Sequence, residues 1–173
     1  MLPRSNPSFL LLGILALFLF SGCATQNTVS RGGFSVLKVN RTLLDRDGYE
    51  TDVVGDLKGE ASYQYSLRHE PHRQTGARFH IKWKAPRGAN RVRLVLDVRG
   101  LTAANETARD ALSQSYPDID GAEWTTIDIT GSQFKRLGSI MAWRVMIYAG
   151  DRVMAELPSA NWYSDIRPEP QAK

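Results

Sequence analysis

The chain has 173 residues, 42% hydrophobic and 23% charged, with a formal net charge of +4. Its only cysteine, Cys23, excludes an internal disulfide and a thiolate metal site, so stability has to come from packing. The length suits one domain of ordinary size rather than two.

The chain opens with one basic residue, Arg4, followed by an uncharged run over residues 8–20 made almost wholly of Leu, Phe, Ile and Ala. Small residues, Ser21 and Gly22, then precede Cys23. This is the three-part pattern of an export signal, and its apolar run falls short of the roughly 20 residues that a membrane-spanning helix needs. The tetrad Phe20-Ser21-Gly22-Cys23 resembles the lipobox of bacterial lipoproteins, with Phe20 where that pattern usually has Leu. The resemblance implies cleavage after residue 22, lipidation of Cys23 (palmitate among its acyl chains) and attachment to the cell envelope. With Ala24 after the cysteine it further implies the outer membrane in a Gram-negative cell. No other cofactor is expected.

Residues 23–33 are polar and read as a tether, residues 34–166 as the folded domain, and residues 167–173, with Pro168 and Pro170, as a disordered tail. Within the domain the dominant signal has period two, as a strand with one buried and one wet face requires. Phe34 to Asn40 is the first expected strand, and Tyr63, Tyr65 and Leu67 suggest another. Phe79, Ile81 and Trp83 alternate with Arg78, His80, Lys82 and Lys84; Val92, Leu94, Leu96 and Val98 alternate with Arg91, Arg93, Asp97 and Arg99. Thr102 to Ser113, rich in Ala and opened by Thr102 as an N-cap, is expected to be a helix stopped by Tyr116-Pro117. Trp124 to Ile129 is a further strand, followed by Met141, Trp143, Val145 and Ile147, and by Val153, Ala155 and Leu157. Asp47-Gly48 and Gly150-Asp151 supply turns.

About seven serial strands with one short helix argue for an all-β antiparallel sandwich. The stretch from Trp124 to Trp162, with the aromatic strand Ala142-Trp143-Arg144-Val145 before a final hairpin, resembles fibronectin type III and immunoglobulin-like modules. That resemblance implies an immunoglobulin-like architecture and no particular function.

Chemistry-bearing patterns are few. His69, Glu70 and His72, with His80 nearby, could supply metal ligands, but Pro71 and the absence of zinc spacing favour a solvated hairpin tip. Asp45-Arg46-Asp47-Gly48 and Asp118-Ile119-Asp120-Gly121 lack the remaining positions of a helix-loop-helix calcium site and read as turns. No G-x-S-x-G elbow or H-E-x-x-H motif occurs, which points away from an enzyme.

Charge is more informative. Between Arg68 and Arg99 nine Lys or Arg residues stand against Glu70 and Asp97 alone. Either an acidic segment such as Asp52 to Glu60 packs alongside, or the excess serves an external anion. The functional expectation is therefore a lipid-anchored, non-catalytic binding module whose basic sheet face, Arg78, Lys82, Lys84, Arg91 and Arg93, contacts an anionic envelope lipid, glycan or acidic protein. An envelope address leaves no role for nucleic acid. The alternatives are a structural subunit of an envelope complex, marked by a large exposed apolar patch, and a metal protein using the His69/His72 loop. Trp83 and Trp143 share the apolar register of their strands and are expected in the core, whereas Trp124 and Trp162 are undecided.

Overall fold

The computed structural model describes residues 28–51 and 55–164. The export signal, Cys23, the acidic start at Asp52 and the tail over 167–173 lie outside these residues. The order is β1 (Val29–Ser30), β2 (Ser35–Leu44), α1 (Leu57–His69), a 3-10 turn (Pro71–Arg73), β3 (Gly76–Leu101), β4 (Thr107–Thr130), α2 (Gly131–Leu137), β5 (Ser139–Ala149) and β6 (Arg152–Pro158).

The expected all-β antiparallel sandwich forms, but among the described residues six strands build it because two of them serve both layers. The alternations at residues 78–84 and 91–99 belong to one strand, β3. Its first half lies between β2 and the second half of β4, and its second half between β5 and the first half of β4; β6 and β1 extend that second layer. Both long strands bend together where the register shifts between Ala85 and Ala89, with Gly88 and Gly121 at positive φ. Pro117 falls in this region with no registered partner, so its missing N–H costs no ladder bond.

Each layer contributes its alternate apolar side chains to a single core. Phe79, Ile81, Trp83, Ile127 and Ile129 come from the first layer; Val92, Leu94, Leu96, Val98, Val145 and Ile147 come from the second. Phe79 meets Trp143 edge-on at 6.4 Å and Trp83 meets Tyr116 at 5.0 Å. The Trp83 indole donates to Thr125 Oγ1 at 2.9 Å, which satisfies its polar atom inside the core. Trp143 is only half-buried, while Met141, expected inward, is 43% exposed. The register of β5 shifts between Arg99 and Gly100, and Met141 has no partner there.

Four local expectations fail for identifiable reasons. Residues 102–113 are not helical: Asn105 has φ 64 in a tight turn closed by Thr102 and Glu106, and β4 starts at Thr107. Its Ala108 and Leu112 pack on the core, so tertiary contact overrides the helix propensity of the alanines. Tyr63, Tyr65 and Leu67 lie instead on α1, capped by Asp56, whose carboxylate accepts from Lys58 N at 3.0 Å. The buried face of α1 is Gln64 and Leu67 at helical spacing. The Gln64 carboxamide imitates a strand, accepting from Leu43 N at 2.8 Å and donating to Leu43 O at 2.9 Å, which covers the edge of β2. Gly131–Leu137 forms a second short helix, where a single one was expected in the domain. Finally, the expected tether ends earlier than Gly33, since Val29 and Ser30 pair with Glu156 and Ala155 of β6.

Candidate functional site

The outer face of the first layer is a grid of four rows set by strand register. From the bend downward the rows are Ser35, Lys84 and Ala122; Lys38, Lys82 and Trp124; Asn40, His80 and Thr126; and Thr42, Arg78 and Asp128. In the first half of β3 the odd residues point into the core, so this outer face inherits Arg78, Lys82 and Lys84.

Charge is balanced at one end of the grid and not at the other. Arg78 grips Asp128 through two parallel hydrogen bonds of 2.8 Å and lies 4.0 Å from Glu50. Glu50 also accepts from Thr42 Oγ1 at 2.6 Å and sits 2.8 Å from His80 Nε2. Partial burial pushes the Glu50 carboxyl up, but the hydrogen bonds from Thr42 and His80 and the charges of His80 and Arg78 hold it below the usual carboxylate range. Asp128 and Glu50 thus do the neutralising anticipated for the segment Asp52 to Glu60.

At the other end Lys38 stands directly opposite Lys82 across adjacent strands. Among the described residues no ion pair reaches Lys38, Lys82 or Lys84. Such a like-charge pair is destabilising on a sheet face. The Lys82 ammonium lies 5.7 Å from the centroid of the Trp124 ring, which remains 55% exposed. Beside that ring, Asn40, His80, Trp124 and Thr126 line a shallow depression of about 370 Å³.

Of the five basic residues singled out in the sequence, Arg78, Lys82 and Lys84 share this face. Arg93 lies on the outer face of the second layer, its guanidinium 4.6 Å from the Tyr148 ring centroid. Arg91 is in the bend, exposed and at φ 49. One strand carries all five, but its passage from layer to layer divides them.

The proposed metal ligands are divided as well. His69 ends α1, its ring 4.1 Å from Tyr65 and its Nδ1 2.8 Å from Tyr65 O. Glu70 accepts from Ser66 and Arg73, His72 sits in the 3-10 turn, and His80 is on the sheet with Glu50. Among the described residues no three His, Cys, Asp or Glu side chains converge on a metal position. The Asp45 carboxylate accepts from Asp47 N and Tyr49 N, both at 2.9 Å, which makes its segment a self-closed turn.

A second cluster, with no motif to announce it, lies on the outer face of the second layer. Asp97, buried to 1% exposure, accepts two bonds from Arg109 at 2.9 and 2.5 Å and one from Arg144 at 3.0 Å. Burial pushes its carboxyl up, and the hydrogen bonds and charges of the two arginines more than reverse this. Trp162 closes over the cluster, with Arg99 at 4.1 Å, Arg144 at 4.7 Å and Arg109 at 6.0 Å from its ring. Arg99 donates to Trp162 O at 2.9 Å, and the indole is 2% exposed. The only sequence signal available was the parity of Asp97, Arg109 and Arg144, which becomes readable once the strand register is known.

No family model matches the chain, and no curated protein matches it. Similar solved structures include a protein from Akkermansia muciniphila, 9% identical over 80% of this chain and 73% of that one, with a TM-score of 0.49. Another is an immunoglobulin-like protein from Pseudomonas aeruginosa, 12% identical over 79% of this chain and 97% of that one, with a TM-score of 0.33. At these scores neither likeness carries an argument about what the chain does.

Proposed function

We propose that the chain is a lipid-anchored cell-envelope protein whose sandwich is a non-catalytic binding module for an anionic envelope component. The anchor would be the acylated Cys23, and the binding face would be the upper part of the grid, Lys38, Lys82 and Lys84. One observation carries the reading: Lys38 and Lys82 face each other in register without an acidic partner among the described residues, while Arg78 two rows away is fully engaged. A bound anion relieves the repulsion and is drawn to the lysines by their field. Arg91 and Arg93 fall outside this face and have no part in it.

The experiment is retention of envelope components on the protein, from low to high salt, for the parent and for Lys82→Glu with Lys84→Glu. Steep loss of retention with salt, and loss in the double variant at low salt, is the expected result. Retention that ignores both salt and charge reversal refutes the basic face and points to an apolar interface with a protein partner.

A further inference from the structure

Trp124 is the tryptophan whose place packing does not explain. Trp83 is in the core, Trp143 packs on Phe79, and Trp162 is enclosed by arginines. Trp124 leaves 55% of its surface in water, although every exposed part of an indole forgoes apolar burial. It lies on a rigid sheet, opposite Lys82, and the side chains lining the depression beside it are Asn40, His80 and Thr126, all polar. A membrane-inserting or protein-docking tryptophan needs apolar company around it. Here the company is an amide, an imidazole and a hydroxyl.

We infer that this depression is a saccharide subsite and that the anionic component is an acidic glycan, one sugar of which stacks on Trp124. The inference rests on the reading of the lysine face above and names its ligand class. A sugar ring has an apolar C–H face that suits the electron-rich face of an indole, and a hydroxyl edge that suits Asn40, His80 and Thr126. A carboxylate or phosphate on the same or the next sugar falls to Lys82, Lys38 and Lys84. From Lys84 to His80 the strand covers about 14 Å at about 3.4 Å per residue, so the strip runs past more than one sugar. Role changes along it: cations at Lys84 and Lys82, then the polar side chains Asn40, His80 and Thr126 beside the ring.

The test is calorimetric titration of the full-length chain in neutral phosphatidylcholine vesicles. The probes are oligogalacturonate and oligomannuronate, a neutral maltooligosaccharide, and soluble dihexanoyl-phosphatidylglycerol for the lipid headgroup. The expected result is binding of an acidic oligosaccharide in preference to the neutral one, weakened about tenfold or more by Trp124→Ala and largely restored in Trp124→Phe. Lys82→Glu with Lys84→Glu abolishes it. Binding lost on charge reversal but unchanged in Trp124→Ala overturns the saccharide subsite and leaves the anionic-face reading standing. Binding of acidic and neutral sugars alike, sensitive to Trp124→Ala and indifferent to charge reversal, overturns the acidic glycan together with the lysine face. Phosphatidylglycerol held as tightly as the oligosaccharides, or no response to either acidic oligosaccharide, also overturns the inference.

Discussion

Replacing Asp97 by Asn removes a charge without changing a volume, in a side chain that is 2% exposed and held by two arginines. The new amide group has to face a guanidinium donor where the carboxylate accepted from Arg109 Nη2 at 2.5 Å and Arg144 Nη2 at 3.0 Å. Breaking a buried pair from one side costs about 3–5 kcal/mol. Two facts place this case at the low end. The Arg109 side chain is 58% exposed and stays hydrated, so its share is that of a surface pair, and Arg144 keeps Glu156 at 3.4 Å. The expected loss is about 3 kcal/mol, or roughly 9 °C in Tm at about 3 °C per kcal/mol for a domain of this size. Urea unfolding followed by tryptophan fluorescence measures it, with Trp162 reporting on the cluster directly. The folded Asp97 carboxyl is held below its unfolded value, so its stabilisation is complete above about pH 4 and fades as pH falls through the folded value. The gap between parent and Asn variant therefore stays constant from pH 7 to about pH 5 and closes below about pH 4. A loss under about 1 kcal/mol, or a gap that does not close in acid, would refute the account of Asp97 as the ionised hub of this layer.

Further outcomes follow from single contacts. Gly138→Ala should cost about 3 kcal/mol or prevent folding, because the residue has φ 65 and a Cβ there would overlap the Leu101 carbonyl oxygen; expression and thermal unfolding test it. Trp83→Phe removes the donor to Thr125 and part of the edge contact with Tyr116, for an expected loss of about 1–3 kcal/mol in urea. Glu50→Gln should leave the fold intact at pH 7 with a modest loss and remove a share of stability that the parent gives up only as pH falls below the ordinary glutamate range; pH-resolved melting reads the difference. Cys23→Ser should abolish incorporation of labelled palmitate and release the chain from the membrane fraction, the direct check on the anchor.

Some of this was written plainly in the sequence. The alternations Phe79-Ile81-Trp83 and Val92-Leu94-Leu96-Val98 mark inward faces, and both are fully buried. Their joining into one strand was not legible, because Pro86 and Gly88 look like a break and only the matching positive φ at Gly88 and Gly121 shows two strands bending in step. The same bend explains why the basic residues divide, a matter of register that composition does not encode. Residues 102–113 misled for the opposite reason: alanines favour a helix in isolation, whereas Leu112 and Tyr116 are claimed by the core and Arg109 by Asp97. Trp124 and Trp162 both stand among polar residues in the sequence, and only the fold distinguishes the ring left open on β4 from the one in the turn after β6 that arginines enclose.

The shared strands bear on how the domain comes apart. A sandwich whose layers are joined by loops can lose one sheet while the other persists, but here each layer contains half of the same β3–β4 hairpin. Peeling either layer away tears the ladder of the other at the bend, so no half of the molecule is a separate unit of unfolding. A one-residue slip in that hairpin would turn Trp83 outward and Lys82 inward at once, which ties the lysine face and the core to a single register. The hairpin closes through the short turn at Thr102–Glu106, so the register that decides both is set by contacts that begin close together along the chain.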